Sequence, residues 1–154
     1  RIALLGSSRF PICQPFAGGL EAHVWHLARA LTARGHRVSL FGADGSSIDD
    51  WLREGAGAVV ITHGADGISV RTREFTVLAQ APETTVVDTI GAGDSVLGGL
   101  LHFFDESGDL SASAVRSRDA DYWLRAADYA ARVAAVTVSR PGADPPWASE
   151  LDAP

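Results

Sequence analysis

The residues best suited to chemistry lie in the run from Asp88 to Asp94, which reads Asp-Thr-Ile-Gly-Ala-Gly-Asp. Small side chains at Gly91, Ala92 and Gly93 allow the backbone to turn tightly and to approach a ligand closely. Where such a turn opens a helix, the backbone N–H groups converge and favour negative charge. Such donors stabilise the charge on a transferring phosphoryl group, and a carboxylate at Asp94 can accept the proton of an alcohol.

The same run also admits a purely structural interpretation, in which Asp94 caps a helix and the glycines form a turn. A short G-x-G-D motif alone would favour that interpretation. All seven residues, placed between an apolar strand pattern and an apolar helix pattern, favour the chemical one. The sequence therefore predicts an anion-binding turn with Asp94 as the proton acceptor.

Apolar residues at strand-like and helix-like spacings alternate along the chain around this run. We predict, in chain order, strand 2–5, helix 20–34, strand 38–41, a short helix near 48–52, strand 58–62, a hairpin of 68–73 with 74–78, strand 84–87, helix 95–104, helix 119–135, and 136–138 as a final strand or a helix end. Gly35 is placed to end the first helix. Strands that alternate with helices indicate an α/β fold, and we expect a three-layer α/β/α sandwich with a mostly parallel sheet.

The composition of the chain limits the classes of binding partner and the cellular compartment that we expect. The 154 residues carry a formal net charge of −6, which argues against a nucleic acid as partner, because nucleic-acid binders need a basic face. A single cysteine, Cys13, excludes an internal disulfide and fits a reducing cytoplasm. The longest apolar run, 96–104, is too short to span a bilayer, so we expect a soluble cytoplasmic protein with no membrane partner. Because the chain begins at Arg1, we expect a fragment or a processed form.

From about residue 46 to residue 154 the chain resembles the ribokinase, or PfkB, family of carbohydrate kinases. The run Asp88–Asp94 matches the family signature D-T-x-G-A-G-D. Three further stretches agree with the family in order and spacing: 59–67 with its strand and nucleotide-contacting turn, 130–135 with its alanine-rich helix beside the adenine, and 139–143 with the loop that closes that pocket. The resemblance implies a ribokinase-like, Rossmann-like fold that uses ATP and Mg²⁺, with the Mg²⁺ carried largely by the nucleotide phosphates.

The resemblance also implies a role for each matching residue. Asp94 would be the base, and Gly91, Ala92 and Gly93 would form the anion hole. The nucleotide-binding positions would be Thr62, Gly64, Gly67, Ala131 and Gly142. Asp88 and Ile90 correspond to a monovalent-cation site, for K⁺, in some members of the family. Alternatively, Asp88 anchors the loop through hydrogen bonds to backbone amides.

Residues 1–42 resemble a different family, because they look like the N-terminal lobe of family 4 retaining glycosyltransferases, which have the GT-B fold. Gly18 and Gly19 match the glycine pair that opens the first helix of that lobe. PfkB-family kinases also carry an early glycine pair, followed by a sugar-binding asparagine, and His23 takes the comparable position. Gly18, Gly19 and His23 are therefore the candidate substrate-binding residues.

The change of resemblance predicts a joint in the chain near Gly42–Gly45. We expect a segment 1–45 and a segment 46–154, packed as one compact domain. The predicted function is an ATP-dependent carbohydrate kinase module that transfers a phosphoryl group to a sugar hydroxyl. Because most of the family's sugar-binding half is missing, we expect nucleotide binding to be retained better than transfer, and an exposed apolar face to promote homo-oligomers. The alternatives are a fragment of a family 4 glycosyltransferase and a non-catalytic nucleotide-binding α/β domain.

Overall fold

The computed structural model describes residues 2–5, 11–16, 18–36, 38–42, 48–53, 55–111, 113 and 116–151. Its strands are β1 (Ile2–Leu5), β2 (Val38–Gly42), β3 (Val59–Thr62), β4 (Ile68–Arg71) and β5 (Thr76–Ala79). Its helices are α1 (Gly19–Ala33), α2 (Ile48–Arg53), α3 (Ala92–Glu106), α4 (Ala120–Val138) and the short α5 (Ala148–Leu151), and Gly64–Asp66 form one 3₁₀ turn. The predicted α/β class is confirmed.

The five strands lie in one sheet, in the order in which they occur along the chain. β1 and β2 are parallel with Ile2 opposite Val38, and β2 and β3 are parallel with Phe41 opposite Val60. The links 63–67 and 72–75 are too short for a parallel crossover, so β4 and β5 continue the sheet as antiparallel hairpins. The expected mostly parallel sheet is therefore not confirmed, because the short links impose the antiparallel half.

The chain divides into two compact units, the first comprising residues 1–63 and 69–77 and the second residues 64–68 and 78–154. This division passes through β4 and β5 and lies away from the predicted joint near Gly42–Gly45. Of that joint, 43–45 lie outside the described residues. The described helices include none that is long and apolar enough to cross a bilayer.

The first unit is built around the apolar face of α1. The buried apolar residues that pack together there include Ile12, Val24, Ala28, Val38, Trp51, Leu52, Ala56, Val59 and Ile61. α1 ends where predicted, because Gly35 adopts a φ of 80° that favours glycine, and its N–H donates to the carbonyl oxygen of Thr32 at 2.9 Å.

An arginine of the β4–β5 link holds the end of α2. The Nε and Nη2 atoms of Arg73 donate to the carbonyl oxygen of Leu52 at 2.9 and 2.6 Å. The last carbonyls of a helix lack partners within the helix, and Arg73 adds a charged donor to one that also accepts from the N–H of Gly55 at 3.2 Å. Arg71 makes an ion pair with Asp49, and their side chains are 42% and 61% exposed.

We expect Arg73→Gln to lower the free energy of unfolding by about 1–2 kcal/mol, because it removes hydrogen bonds from a charged donor. The matched control is Arg71→Gln, which removes only a solvated ion pair and is expected to cost less than about 1 kcal/mol. Urea denaturation monitored by tryptophan fluorescence measures both. Equal losses in the two variants would contradict the capping role of Arg73.

The second unit is built on the packing of α3 against α4. Gly99 allows a close approach, because a Cβ there would lie 3.0 Å from the Cα of Ala130. The ring of Phe104 packs edge-on against Trp123 at 5.5 Å. Asp119 caps α4 by accepting a hydrogen bond from the N–H of Tyr122 at 2.9 Å. The helix continues to Val138, so residues 136–138 form a helix end and not a strand.

The predicted strand at 84–87 is wrong. Residues 84–87 form neither a helix nor a strand, and Val86 and Val87 are 61% and 56% exposed. The N–H of Val87 donates to the carbonyl oxygen of Val138, at the end of α4, at 2.7 Å. A β-branched run becomes a strand when another strand pairs with it, and here the backbone partner is a helix terminus.

Candidate functional site

The site begins where α3 begins. Gly91 is the residue before the helix, and its φ of 78° and ψ of 0° lie in the left-handed region that favours glycine. A Cβ at this position would also lie 2.7 Å from the Cβ of Ala143. Gly91 is therefore required twice, by the backbone conformation of the turn and by the close approach of the loop after α4.

The first turn of α3 contains backbone donors that have no partner among the residues that the structure describes. The N–H of Ser95 donates to Gly91 O at 2.8 Å, and that of Ala92 to Thr89 O at 3.3 Å. No described side chain caps the helix, and the N–H groups of Gly93 and Asp94 have no backbone acceptor among the described residues. The space beside the Gly93 Cα is open. Two donors at the positive end of a helix are thus free to bind an anion.

Asp94 lies in this same turn and its side chain is exposed. A cavity of about 430 Å³ that is open to solvent borders both Gly91 and Asp94 and extends along α3 to His102. The ring of His102 stacks on Tyr129 at 5.6 Å, and Trp147, which is 81% exposed, also lines the cavity. A ligand can therefore reach the carboxylate from solvent.

Asp88 braces the turn. One carboxylate oxygen accepts from the N–H of Ile90 and the other from the N–H of Gly142, each at 3.0 Å. The hydrogen bonds from Ile90 and then Gly142 lower the pKa of Asp88 below its ordinary value of 3.8, because they favour the ionised form. This geometry agrees with the alternative role of Asp88, in which its carboxylate anchors the loop through hydrogen bonds to backbone amides.

Replacing Asp88 with asparagine should loosen the turn, because the new amide nitrogen would face one of the two N–H donors. A lowered folded-state pKa gives a stabilisation that is present above the unfolded value, about 4, and is lost as the pH falls through the folded value. We therefore expect Asp88→Asn to lower the melting temperature at pH 7 and to lower it less near pH 3. Glu83→Gln, at an exposed carboxylate of the same link, serves as control. If Asp88→Asn lowered the melting temperature equally at both pH values, the ionised carboxylate of Asp88 would not be what stabilises the turn.

The predicted cation site at Asp88 and Ile90 offers few ligand atoms. Ile90 can contribute only its backbone carbonyl, and its side chain is 63% exposed. Within the described residues, no group of three or more His, Cys, Asp or Glu side chains could hold a metal ion. The roles of Asp88 and Ile90 toward K⁺ stay predictions.

The predicted nucleotide-binding residues fall in both units. Thr62 ends β3 in the first unit and is half-buried. In the second unit, Gly64 and Gly67 have φ values of 62° and 100°. Ala131 is only 4% exposed on α4, and Gly142 is the donor to Asp88. Their contacts with a nucleotide stay predictions.

The predicted substrate-binding residues lie together in the first unit, at the start of α1. Gly18 precedes the helix, Gly19 opens it and His23 follows one turn later, and all three are exposed. The carbonyl oxygen of Gly18 accepts from the N–H of Ala22 at 3.2 Å. Their role toward a sugar stays a prediction.

Sequence reasoning missed three residues of this neighbourhood. Ser95 and Thr137 form a buried hydroxyl pair beside Asp94, and Trp147 borders the cavity. The available signal for Thr137 was a polar residue on the apolar face of α4. No signal in the sequence alone pairs it with Ser95.

Comparison with known proteins tests the resemblance directly. The model of the pfkB family carbohydrate kinases matches residues 38–150. A fructokinase of Rhizobium leguminosarum bv. trifolii is 42% identical over 69 residues, which is 45% of this chain and 21% of that protein. A 1-phosphofructokinase of Rhodobacter capsulatus is 32% identical over 113 residues, which is 73% of this chain and 33% of that protein. The chain thus spans only a minor part of the curated relatives that it matches.

Solved structures show the same fold over nearly the whole chain. Aminoimidazole riboside kinase from Salmonella enterica, complexed with aminoimidazole riboside and an ATP analogue, aligns with 97% of this chain and 61% of its own. The TM-score is 0.60 and the identity 22%, so this likeness shows a ribokinase-like α/β fold.

The comparisons do not support the glycosyltransferase resemblance of residues 1–42. The family match begins at Val38, inside that segment, and the kinase fold aligns over 97% of the chain. A β-α-β unit with an early glycine pair is common to both folds, which explains why the sequence pattern was ambiguous. Since the family model covers most of its length, the chain belongs to the pfkB family of carbohydrate kinases.

Proposed function

We propose that this chain is an ATP-dependent carbohydrate kinase module in which Asp94 accepts the proton of a sugar hydroxyl. One observation carries the proposal: an exposed carboxylate and two backbone N–H groups, without a backbone acceptor among the described residues, share the first turn of α3 beside an open cavity. The relatives are named for sugar and sugar-phosphate acceptors, which supports an alcohol of a sugar as the acceptor.

Each residue of the turn has its own role in phosphoryl transfer. The Asp94 carboxylate takes the hydroxyl proton as the acceptor oxygen bonds to the γ-phosphorus of ATP, and the bond from that phosphorus to the bridging oxygen breaks with ADP as the leaving group, so that no free alkoxide forms. The N–H groups of Gly93 and Asp94 face the negative charge that the phosphoryl oxygens carry in the transition state. Gly91 and Asp88 keep these groups in place, because one permits the turn and the other ties it to Gly142.

The donor nucleotide and its cations fit this arrangement in part. ATP supplies the γ-phosphoryl group when bound, and Thr62, Gly64, Gly67, Ala131 and Gly142 are the residues proposed to contact it. The N–H groups of Gly93 and Asp94 suit its phosphates, and Mg²⁺ would be carried largely by those phosphates. Asp88 and the carbonyl of Ile90 are the proposed ligands of a monovalent cation such as K⁺.

Several finer expectations belong to the same proposal. We infer a three-layer α/β/α arrangement, a cytoplasmic location, and small-molecule partners only, with homo-oligomers through any apolar face left uncovered. Gly18, Gly19 and His23 would contact the sugar, and the joint near Gly42–Gly45 remains part of the proposal. The chain spans 21% and 33% of the length of the two curated relatives above. We therefore expect the chain alone to retain nucleotide binding better than phosphoryl transfer.

A ligand-protection experiment tests the proposal. The purified chain is unfolded by urea with and without ATP–Mg²⁺, and with a UDP-sugar and a GDP-sugar as competing hypotheses. A ligand at about a hundred times its Kd adds about 2.7 kcal/mol to the free energy of unfolding.

We expect protection by ATP–Mg²⁺ and none by either nucleotide-sugar. Protection by a nucleotide-sugar in place of ATP would overturn the kinase proposal. Protection by ATP with no transfer to any sugar, even at high protein concentration, would favour the non-catalytic nucleotide-binding domain.

A further inference from the structure

A buried polar contact joins the start of α3 to the end of α4. The hydroxyl oxygens of Ser95 and Thr137 lie 2.8 Å apart, and the two residues are 6% and 0% exposed. Thr137 Oγ1 also lies 3.0 Å from the carbonyl oxygen of Val133. A hydroxyl can both donate and accept, so the three groups satisfy one another in an interior where an unpaired polar group is costly.

Beside this contact the interface of α3 with α4 is small and apolar, whereas towards the other end of α3 it consists of aromatic pairs such as Phe104–Trp123. At Gly99 the two backbones approach so closely that a Cβ would lie 3.0 Å from Ala130 and 3.1 Å from a methyl of Val133. The contact at Gly99 sets mainly how closely the two helices approach, and the aromatic pairs act near the other end of α3, so the rotation of the first turn about the helix axis depends most on the contacts made at that turn. The Ser95–Thr137 contact is directional and therefore defines that rotation at the first turn of α3.

The position of the contact gives it a consequence for the site. Ser95 directly follows Asp94 and lies in the turn that carries the free N–H groups. The beginning of the same run is already fixed to the end of α4, because Val87 donates to Val138 O at 2.7 Å and Asp88 accepts from Gly142. The Ser95–Thr137 contact fixes the other end of the run to the same helix terminus.

We propose that Ser95 and Thr137 are positioning residues that set the rotation of the first turn of α3, and so aim the Asp94 carboxylate and the N–H groups of Gly93 and Asp94. Neither hydroxyl needs to touch substrate for this. The catalytic meaning of the inference depends on the proposed function, whereas the structural claim about the turn does not. Displacements of about 1 Å at reacting groups can cost on the order of a hundredfold in rate, so a loose turn is sufficient to matter.

Three variants distinguish the effect of the Ser95 and Thr137 hydroxyls on the position of the turn from their effect on the packing of the two helices. Thr137→Val keeps the shape and removes the hydroxyl, Thr137→Ser keeps the hydroxyl and removes a methyl, and Ser95→Ala removes the partner hydroxyl. For each, we would record the ¹⁵N–¹H spectrum of the free chain, the melting temperature and the Kd for ATP–Mg²⁺. The spectrum reports on the turn whether or not the chain binds ATP.

Thr137→Val and Ser95→Ala are expected to move the amide resonances of Gly93 and Asp94 and to raise the ATP Kd about tenfold. Thr137→Ser should leave both near wild type, although its lost methyl lowers the melting temperature. Unmoved resonances in both hydroxyl-free variants, or changes in Thr137→Ser that match Thr137→Val, would overturn the inference. If the wild type binds no ATP, the proposed function fails, and the amide resonances still decide the positioning claim.

Discussion

Gly67→Ala is expected to destabilise the chain by about 3–5 kcal/mol, a large part of the total stability of an ordinary domain. Gly67 is buried and has a φ of 100°, which alanine adopts only with strain. An added Cβ would overlap the carbonyl oxygen of Ala79 and would lie 2.9 Å from the backbone nitrogen of Ala81. Both obstacles are backbone atoms, so no side-chain rotation can relieve the overlap. Urea denaturation followed by circular dichroism measures the loss.

The matched control for this change lies three residues earlier in the same turn. Gly64 has a φ of 62°, its carbonyl oxygen accepts from the N–H of Gly67 at 3.2 Å, and the space beside its Cα is open. Gly64→Ala therefore adds only the backbone strain of a left-handed residue, about 1–2 kcal/mol. If the two variants lost the same stability, the close approach of Ala79 would not be what requires glycine at position 67.

Asp94→Asn is expected to lower any ATP-dependent transfer to a sugar by about 10²–10⁴-fold. Asparagine has nearly the same shape and can still accept a hydrogen bond, but it cannot take a proton from an alcohol. The affinity for ATP should stay the same or rise slightly, because a negative charge beside the phosphates is removed. Initial rates with a sugar acceptor, together with the Kd for ATP–Mg²⁺, measure the two effects separately.

Asp105→Asn provides the control for general effects of removing a carboxylate from α3. Asp105 is exposed near the opposite end of the helix, so its replacement should change neither the rate nor the ATP affinity. An Asp94→Asn variant that transfers phosphoryl groups as fast as wild type would remove Asp94 from the role of base. A parallel loss of ATP binding would indicate that the residue serves binding and not proton transfer.

Features encoded in contiguous residues were predicted well from the sequence. α1 and its glycine terminator follow from apolar spacing and from Gly35, and both are confirmed. The turn before α3 follows from the small residues 91–93 between apolar segments, and Gly91 indeed has the left-handed conformation that such a turn needs. In these cases the cause of the structure lies within a few residues of its effect.

Features that depend on distant residues could not be predicted in this way. The segment 84–87 has strand-like composition, but its backbone partner is Val138, which is far away in the sequence. The mostly parallel sheet was expected from alternation alone, whereas the short links around β4 impose antiparallel pairing. The Ser95–Thr137 contact likewise becomes visible only once α3 and α4 are packed together.

The resemblance of residues 1–42 to a glycosyltransferase lobe shows a different limit. A short strand, a glycine pair and an amphipathic helix describe a local unit that unrelated α/β folds share. Only the remainder of the chain distinguishes those folds, and the family match that begins at Val38 decides for the kinases. Local pattern therefore identified the element types correctly, whereas the comparisons do not support the family that it suggested for residues 1–42.

The most direct test of the central claim is a titration of the ¹⁵N-labelled chain with ATP–Mg²⁺, observed at individual backbone amides. We expect saturable shifts of the Gly93 and Asp94 resonances, because their N–H groups have no backbone acceptor in the part of the chain that the structure describes and lie at the positive end of α3. The amides of Gly19 and Leu20, at the start of α1, serve as an internal control and should shift little. Saturable binding that leaves Gly93 and Asp94 unmoved, or no saturable shift at all, would contradict a phosphate-binding turn at this helix.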